Sequence, residues 1–197
     1  MRFAVVGAGA IGSFVGASLQ YAGHDVTLVA RGPHLRAVQE AGVTVHSPRG
    51  DFTARPVATD DIAAVGPVDV VLLTLKAHQL RAVAADLHHL FEAATVVVAM
   101  QNGIPWWYFQ RHGGPYDGLV LQSVDPAGEI GAAIPPERVL GCVIYSSAEL
   151  ESPGVVRHLE GTRYSIGEPD RSISERALGV AGPLIEAGLK APVEPDI

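Results

Sequence analysis

A glycine motif near the N-terminus constrains the fold of this chain more than any other feature: Gly7, Ala8, Gly9, Ala10, Ile11 and Gly12. It follows an apolar run over residues 2–6, which predicts a short buried strand, and it opens a segment (11–21) with apolar and small residues at helical spacing. A G-x-G-x-x-G that closes a strand and opens a helix is typical of dinucleotide-binding domains. The first glycine permits a tight turn, the second admits a pyrophosphate, and the third allows close helix–strand packing. The motif predicts phosphate binding at the helix N-terminus.

Two other interpretations of this stretch are open at this point. Gly-rich turns are common, so residues 7–12 are also compatible with a strand–helix turn that binds nothing. Arg2 before an apolar stretch is compatible with a secretory signal, but glycines interrupt the run and the following segment reaches polar Gln20 and His24. The strand–turn–helix context favours the dinucleotide interpretation.

Composition narrows the class of function. The chain has 197 residues and 48% hydrophobic content, enough for one buried core but short for two full domains. Its formal net charge of −7 disfavours binding to nucleic-acid backbones. The single cysteine, Cys142, lies in an apolar run and is expected to be a buried thiol in a strand. One cysteine allows neither a disulfide framework nor a Cys/His zinc site, so we expect no metal. No apolar run approaches about 20 residues, so we expect no membrane span and a cytoplasmic location.

Strands and helices alternate over the first hundred residues. Apolar periodicity predicts helices at 11–21, 34–41 and 78–91, and strands at 2–6, 25–29, 43–46, 52–57, 69–75 and 95–100. The alternation predicts an α/β protein with a Rossmann-like, doubly wound parallel sheet.

The sequence changes character after Asn102, where glycine, proline and aromatic residues accumulate. Predicted strands at 119–124, 139–146, 155–159 and 163–166 form an antiparallel extension in the C-terminal third, and 189–193 could form a final strand. Ser172 or Ser174 is expected to cap a last helix that ends near Ala187. The aromatic run 106–109 is expected to pack rather than to stack on a ligand.

The end of the second predicted strand bears on the choice of cofactor. NAD enzymes place an Asp or Glu there to bind the adenine ribose, but this chain reads Leu28-Val29-Ala30-Arg31-Gly32. A guanidinium binds a 2′-phosphate that a carboxylate would repel. Arg31 therefore predicts NADP(H), with His34 and Arg36 adding positive potential. The alternative is an ordinary solvent-exposed arginine at a strand end.

Two further candidates follow predicted parallel strands at their carboxyl ends, where ligands bind in open α/β sheets. Lys76 ends the run 69–75, and Asn102 follows 95–100. The lysine is placed to reach cofactor hydroxyls or a substrate carboxylate, and the asparagine to fix the nicotinamide ribose and the substrate. Taken singly, each is also compatible with a surface lysine or an ordinary Asn-Gly turn.

Several short motifs accompany these residues: Thr74-Leu75-Lys76-Ala77, residues 101–107 (QNGIPWW), 123–126 (SVDP), 153–156 (PGVV) and 167–169 (GEP). Together with the glycine motif and Arg31, they resemble the ketopantoate reductase (2-dehydropantoate 2-reductase) family over nearly the whole chain. Members reduce a 2-keto acid with NADPH, for the named enzyme in the pantothenate pathway. The resemblance implies that residues 7–12 bind the pyrophosphate, that Arg31 binds the 2′-phosphate, and that Lys76 and Asn102 line the nicotinamide and substrate region.

The resemblance also implies a second, helical domain. In the family this domain opens with a segment resembling D-I-R-x-E-x-W-x-K, whose lysine is the proposed proton donor, and the chain reaches Ile197 where that segment would begin. We therefore expect an NADP-binding domain over residues 1–190, a stub over 191–197, and no C-terminal helical domain. Lys76 and Asn102 are then expected to support catalysis, while this chain alone turns over little or no keto acid.

Three functions stay open on the sequence. The first is reduction of 2-dehydropantoate by hydride transfer from NADPH to the C2 carbonyl. The second is reduction of another 2-keto acid, and the third is a non-catalytic nucleotide-binding or sensing module. The expected partner is a small-molecule 2-keto acid rather than nucleic acid or a membrane. A homodimer is left open.

Overall fold

The residues described by the computed structural model, 1–111 and 113–197, form one nine-stranded sheet with five α-helices. The helices are α1 (Ala10–Tyr21), α2 (Gly32–Ala41), α3 (Ala77–Ala84), α4 (Glu129–Ala133) and α5 (Glu175–Glu186). The strands are β1 (Arg2–Val6), β2 (Asp25–Val29), β3 (Val43–His46), β4 (Phe52–Ala54), β5 (Val57–Thr59), β6 (Val68–Leu73), β7 (Phe91–Met100), β8 (Val139–Ser152) and β9 (Val155–Gly167). Their order across the sheet is β4-β3-β9-β8-β7-β6-β1-β2-β5.

The parallel part of the sheet surrounds β1. Phe3 of β1 pairs with Val26 of β2 on one side and with Val70 of β6 on the other, and both neighbours are parallel to it. Strand β7 continues the parallel order next to β6, and β5 continues it next to β2. The chain thus reverses its direction of winding at β1, which confirms the doubly wound sheet. The carboxyl ends of β1, β2, β6 and β7 consequently share one edge.

The antiparallel part lies in β8 and β9, as expected from the sequence. These two long strands form a hairpin that turns at Pro153-Gly154, while β8 is parallel to β7. Strand β3 joins β9 in parallel, and β4 joins β3 antiparallel. The sheet therefore continues well beyond its parallel centre, with β4 at one edge and β5 at the other.

The sheet curls around α1. This helix contacts β2 near one edge of the sheet and β3, β4, β8 and β9 near the other. All of its residues from Gly12 to Leu19 are buried, so it lacks the polar outer face of an ordinary surface helix. Small residues permit the close packing: a Cβ on Gly16 would lie 2.5 Å from a methyl group of Leu28.

Five predicted elements differ from those observed. The strand expected at 119–124 was wrong: the segment forms turns, because the buried Asp125 carboxylate accepts the N–H groups of Ile130 and Gly131 (2.8 and 3.0 Å) and starts α4 instead. The predicted strand 52–57 is two strands at opposite edges of the sheet, β4 and β5, separated at Pro56. The predicted helix 78–91 is α3 followed by a 3₁₀ turn, and Phe91 already belongs to β7. The strands predicted at 155–159 and 163–166 are one strand, β9.

Other details follow the sequence. Ser174 caps α5, since its hydroxyl accepts the Ala177 N–H at 3.1 Å. Residues 189–193 run beside β9 through two isolated bridges. Trp106 and Trp107 are buried, as expected of packing residues. Cys142 is also buried, and burial raises the pKa of its thiol to about 12.

The last residues pack on the sheet. The Glu194 N–H donates to the Ile166 carbonyl at 2.8 Å, and Ile197 packs against the apolar core. The division into residues 1–190 and 191–197 stays a prediction. None of the described helices is long and apolar enough to cross a bilayer.

Candidate functional site

A cavity of about 800 Å³ lies at the carboxyl edge of the parallel strands. The glycine motif follows β1, Arg31 follows β2, Lys76 follows β6 and Asn102 follows β7. Residues 7–11 of the motif line this cavity together with Arg31, Lys76 and Asn102, whereas Gly12 lies outside its described lining. Residues far apart in sequence meet there because parallel strands deliver their carboxyl ends to one edge.

The glycine loop leaves no room for side chains at two of its glycines. Gly7 adopts φ +103°, and a Cβ there would lie 2.8 Å from Leu75. A Cβ on Gly12 would lie 2.5 Å from both the Gly7 carbonyl oxygen and Thr74 Oγ1, and the Thr74 hydroxyl donates to that same carbonyl at 2.8 Å. At Gly9 the corresponding position is open, with nothing nearer than 4.0 Å. The first and third glycines thus serve packing, and the second leaves space on the cavity side.

The N-terminus of α1 is suited to an anion. Gly9 is its N-cap and supplies no capping side chain, and no acidic residue lies in its first turn. The first N–H groups of a helix have no partner within the helix, and the helix dipole favours negative charge near them. The loop is anchored to the end of β2, since the Gly7 and Ala8 N–H groups both donate to the Val29 carbonyl (3.2 and 3.0 Å). Open space at Gly9 and free helix N–H groups fit a dinucleotide pyrophosphate.

Arg31 lies at the N-cap of α2, where its side chain is exposed on the cavity wall. Among the residues with described positions, its guanidinium forms no ion pair. Arg36, expected to add positive potential, does not belong to the described lining of the cavity. Two carboxylates, Asp60 and Asp61, line the same cavity beyond β5. Arg31 is therefore the arginine in the described lining of the cavity, which also contains these two acids.

His34 also differs from its expected role as a source of positive charge. Its Nδ1 accepts the Gly154 N–H at 3.1 Å, and its Nε2 lies 2.9 Å from Ser13 Oγ. A ring nitrogen that accepts a hydrogen bond carries no proton, so the imidazole is neutral in this arrangement. Burial lowers the pKa of His34, which acts in the same direction.

Lys76 and Asn102 are held differently. Lys76 is the exposed N-cap of α3; its N–H donates to Gln79 Oε1 at 3.1 Å, and its ammonium forms no ion pair with the described residues. The Asn102 amide is pinned to Ile144 of β8: its Nδ2 donates to the Ile144 carbonyl (3.2 Å), and its Oδ1 accepts the Ile144 N–H (3.0 Å). One Nδ2 hydrogen of Asn102 remains for a ligand. Lys76 is thus exposed and makes no ion pair with the described residues, whereas two hydrogen bonds fix the Asn102 amide.

The sequence analysis missed Ser146 and Tyr164. Ser146 lines the cavity together with Ile144 and Ala148, the alternate residues of β8. Its Oγ and the Tyr164 hydroxyl face each other, yet both are buried without a hydrogen bond of good geometry to any described residue. Burial raises the pKa of Tyr164. The period of two along β8 would have placed Ser146 on the face of Ile144, but only the fold brings that face to the cavity.

The acidic side chains lead to a prediction for Asp60, which is exposed and lines the cavity. Asp60→Asn is expected to tighten NADPH binding about two- to fourfold, because it removes a charge that repels the phosphates across solvent. The matched control is Glu40→Gln, a charge change on an exposed residue of α2 outside the described lining. Isothermal titration at low salt measures both variants; equal effects would show that net charge alone is responsible.

Within residues 1–111 and 113–197, no group of three or more His, Cys, Asp or Glu side chains is placed to hold a metal ion. The site therefore offers a glycine loop, one arginine, one lysine and one pinned amide around a single cavity.

Comparisons with known proteins show the family of this chain. The family model described as "Ketopantoate reductase PanE/ApbA" matches residues 3–171, so the chain belongs to the ketopantoate reductase family. It is 43% identical over 198 residues to a 2-dehydropantoate 2-reductase of Mesorhizobium japonicum, which covers 100% of this chain and 61% of the relative. The family and its Rossmann-like fold imply a nicotinamide cofactor.

Two solved structures share the fold. A protein of Ralstonia solanacearum MolK2, assigned as a ketopantoate reductase, superposes with a TM-score of 0.93 at 42% identity over 98% of this chain and 60% of its own. A D-mandelate dehydrogenase in complex with NADH superposes with a TM-score of 0.76 at 25% identity, over 100% of this chain and 56% of its own. The chain thus spans about three fifths of the length of these relatives.

Proposed function

We propose that these 197 residues form the NADP(H)-binding half of a 2-keto acid reductase similar to 2-dehydropantoate 2-reductase. One observation carries the proposal: the glycine loop, Arg31, Lys76 and Asn102 line the same cavity. A strand–helix turn without a ligand would not require a cation and a pinned amide at the same edge.

Each part of the cavity has a role in this proposal. The N-terminus of α1 holds the pyrophosphate, and Arg31 binds the 2′-phosphate through charge-assisted hydrogen bonds. Asn102, fixed by Ile144, directs its remaining N–H towards the nicotinamide end, which Ser146 also lines. When bound, NADPH supplies the hydride that reduces the C2 carbonyl of the keto acid.

Lys76 is a charge-stabilising group in this account rather than the general acid. Its ammonium lies on an exposed side chain at the cavity wall that makes no ion pair with the described residues. There it can attract the carboxylate of a keto acid and the negative charge that develops on the carbonyl oxygen. A proton donor must lie within hydrogen-bond reach of that oxygen. We assign that donor to the lysine of the family's second domain.

The test is an assay of NADPH oxidation by the purified chain with 2-dehydropantoate. We expect NADPH to bind and little or no keto acid to be reduced, with the Mesorhizobium relative as the positive control under the same conditions. Sustained oxidation by the 197-residue chain would contradict this division of labour.

Two alternatives predict other results. A reductase of a different 2-keto acid would bind NADPH equally well, and the polypeptide continued by a segment resembling D-I-R-x-E-x-W-x-K would prefer another substrate in a screen of 2-keto acids. The D-mandelate dehydrogenase among the structural neighbours favours including aromatic keto acids in that screen. A non-catalytic sensor would bind the nucleotide, and its coding sequence would lack such a continuation.

A further inference from the structure

The His34 imidazole connects three segments of the chain. It lies in the first turn of α2, and its two nitrogens contact the Gly154 N–H in the β8–β9 turn and the hydroxyl of Ser13 in α1. Ser13 is completely buried, and its Oγ lies 3.1 Å from the carbonyl oxygen of Ala8 in the glycine loop. A continuous set of hydrogen bonds therefore runs from the β8–β9 turn to the glycine loop.

The donors and acceptors of this set have one consistent assignment. The Gly154 N–H can only donate, so His34 Nδ1 accepts and the neutral ring carries its hydrogen on Nε2. That hydrogen is donated to Ser13 Oγ at 2.9 Å. The single hydroxyl hydrogen of Ser13 is then available to the Ala8 carbonyl.

The Ala8 carbonyl shares a peptide group with the Gly9 N–H. The Gly9 N–H donates to the Gly7 carbonyl at 2.7 Å, and the position of a Cβ on Gly9 is open. Rotation of this peptide would therefore break the bonds to Ser13 and Gly7, while sterics at glycine would not prevent it. Rotation would move the carbonyl oxygen off the buried side and towards the cavity that Gly9 lines. A carbonyl oxygen there would repel an anion, whereas N–H groups attract it.

We infer that His34 is a positioning residue of the glycine loop. Through Ser13 it holds the Ala8 carbonyl on the buried side, so that the cavity side of the loop is left to the N–H groups. The identity of the ligand, a dinucleotide pyrophosphate, rests on the proposed function. The state of the loop itself does not, because every hydrogen bond involved is made within the protein.

Two isosteric variants separate the bonds of His34. In His34→Gln the side-chain amide nitrogen takes the place of Nε2, so the donor to Ser13 is kept and the acceptor for Gly154 is lost. In His34→Asn the amide oxygen takes the place of Nδ1, so the reverse holds. Ser13→Ala removes the bond to Ala8 and leaves the contact between His34 and Gly154.

Titration with NADPH is the first measurement. We expect His34→Gln to bind within about threefold of the wild type, and His34→Asn and Ser13→Ala to bind about five- to tenfold more weakly, the worth of one net hydrogen bond. The thermal unfolding temperature should fall by a similar amount in the two His34 variants, since each loses one hydrogen bond. If His34 has a purely structural role, the two His34 variants should lose NADPH affinity equally, or neither should lose any. Either result overturns the inference.

The second measurement needs no cofactor. Nitrogen-15 NMR of the imidazole should show a protonated Nε2 and an unprotonated Nδ1, and the Gly9 amide should exchange its hydrogen faster in His34→Asn and Ser13→Ala than in the wild type and His34→Gln. The opposite tautomer, or equal exchange in all four proteins, overturns the inference. If the wild type does not bind NADPH, the proposed function fails, and these two observations still decide the role of His34.

Discussion

The Gly12→Ala variant is expected to lose both stability and dinucleotide binding. Its Cβ would lie 2.5 Å from the Gly7 carbonyl oxygen and 2.5 Å from Thr74 Oγ1. Those two oxygens form a hydrogen bond with each other at 2.8 Å. Neither neighbour can yield without breaking that bond, so overpacking should cost about 1–3 kcal/mol of unfolding free energy. The displaced loop should weaken NADPH binding by roughly 10- to 150-fold, the worth of one hydrogen bond to a charged group.

Gly9→Ala is the matched control for this variant. The nearest atom to the added Cβ is the Gly7 carbonyl oxygen at 4.0 Å, an ordinary van der Waals contact, and the backbone φ of −77° suits alanine. Its unfolding free energy should therefore stay within about 0.5 kcal/mol of the wild type, while NADPH binding falls because the methyl group occupies the cavity side of the loop. Urea denaturation and NADPH titration measure both variants. A Gly12→Ala chain that unfolds and binds like the wild type would contradict the packing described for this loop.

Arg31→Ala is expected to separate the two nicotinamide cofactors. A charge-assisted hydrogen bond contributes about 1.5–3 kcal/mol, so losing the guanidinium should weaken NADPH binding by roughly 10- to 150-fold. NADH has no 2′-phosphate, and its affinity should change by less than about threefold. Competitive titration with both cofactors measures the ratio.

Arg36→Ala controls for the loss of positive charge. Arg36 is exposed on the same helix, α2, but lies outside the described lining of the cavity. The variant should keep the NADPH preference of the wild type. If Arg31→Ala weakens NADPH and NADH equally, Arg31 does not bind the 2′-phosphate and the assignment of NADP(H) is wrong.

The parallel centre of the sheet and the positions around the cavity could be predicted because local patterns determine them. A buried strand followed by a glycine turn and a helix is encoded within residues 2–21, and Arg31, Lys76 and Asn102 each follow a recognisable strand. Parallel strands place such residues at one edge whatever their separation in the chain. Sequence order and strand direction were sufficient for these four positions.

The curl of the sheet had no local signal. Strands β3 and β4 follow α2 in the chain, yet they pair beside β9 at the far side of the sheet. That pairing lets the sheet bury residues 12–19 of α1, through contacts between residues distant in the chain. The same holds for His34, whose charge state depends on Gly154, 120 residues away. A histidine near a phosphate site suggests a cation, but the tertiary contact makes it a neutral link.

Ser146 illustrates the same limit at the site. Its strand was predicted, and its hydroxyl would have been interpreted as an ordinary strand residue. In the fold it lies on the cavity side of β8, buried and facing the Tyr164 hydroxyl. Burial of polar groups is a property of the assembled sheet, so no pattern within residues 139–146 could have shown it.

Calorimetric titration of the purified 197-residue chain with NADPH and with NADH tests the central claim most directly. The account predicts one NADPH bound per chain, at least about tenfold more tightly than NADH, and a preference that disappears in Arg31→Ala. A folded chain that binds neither cofactor, or that binds both with the same affinity, would contradict it.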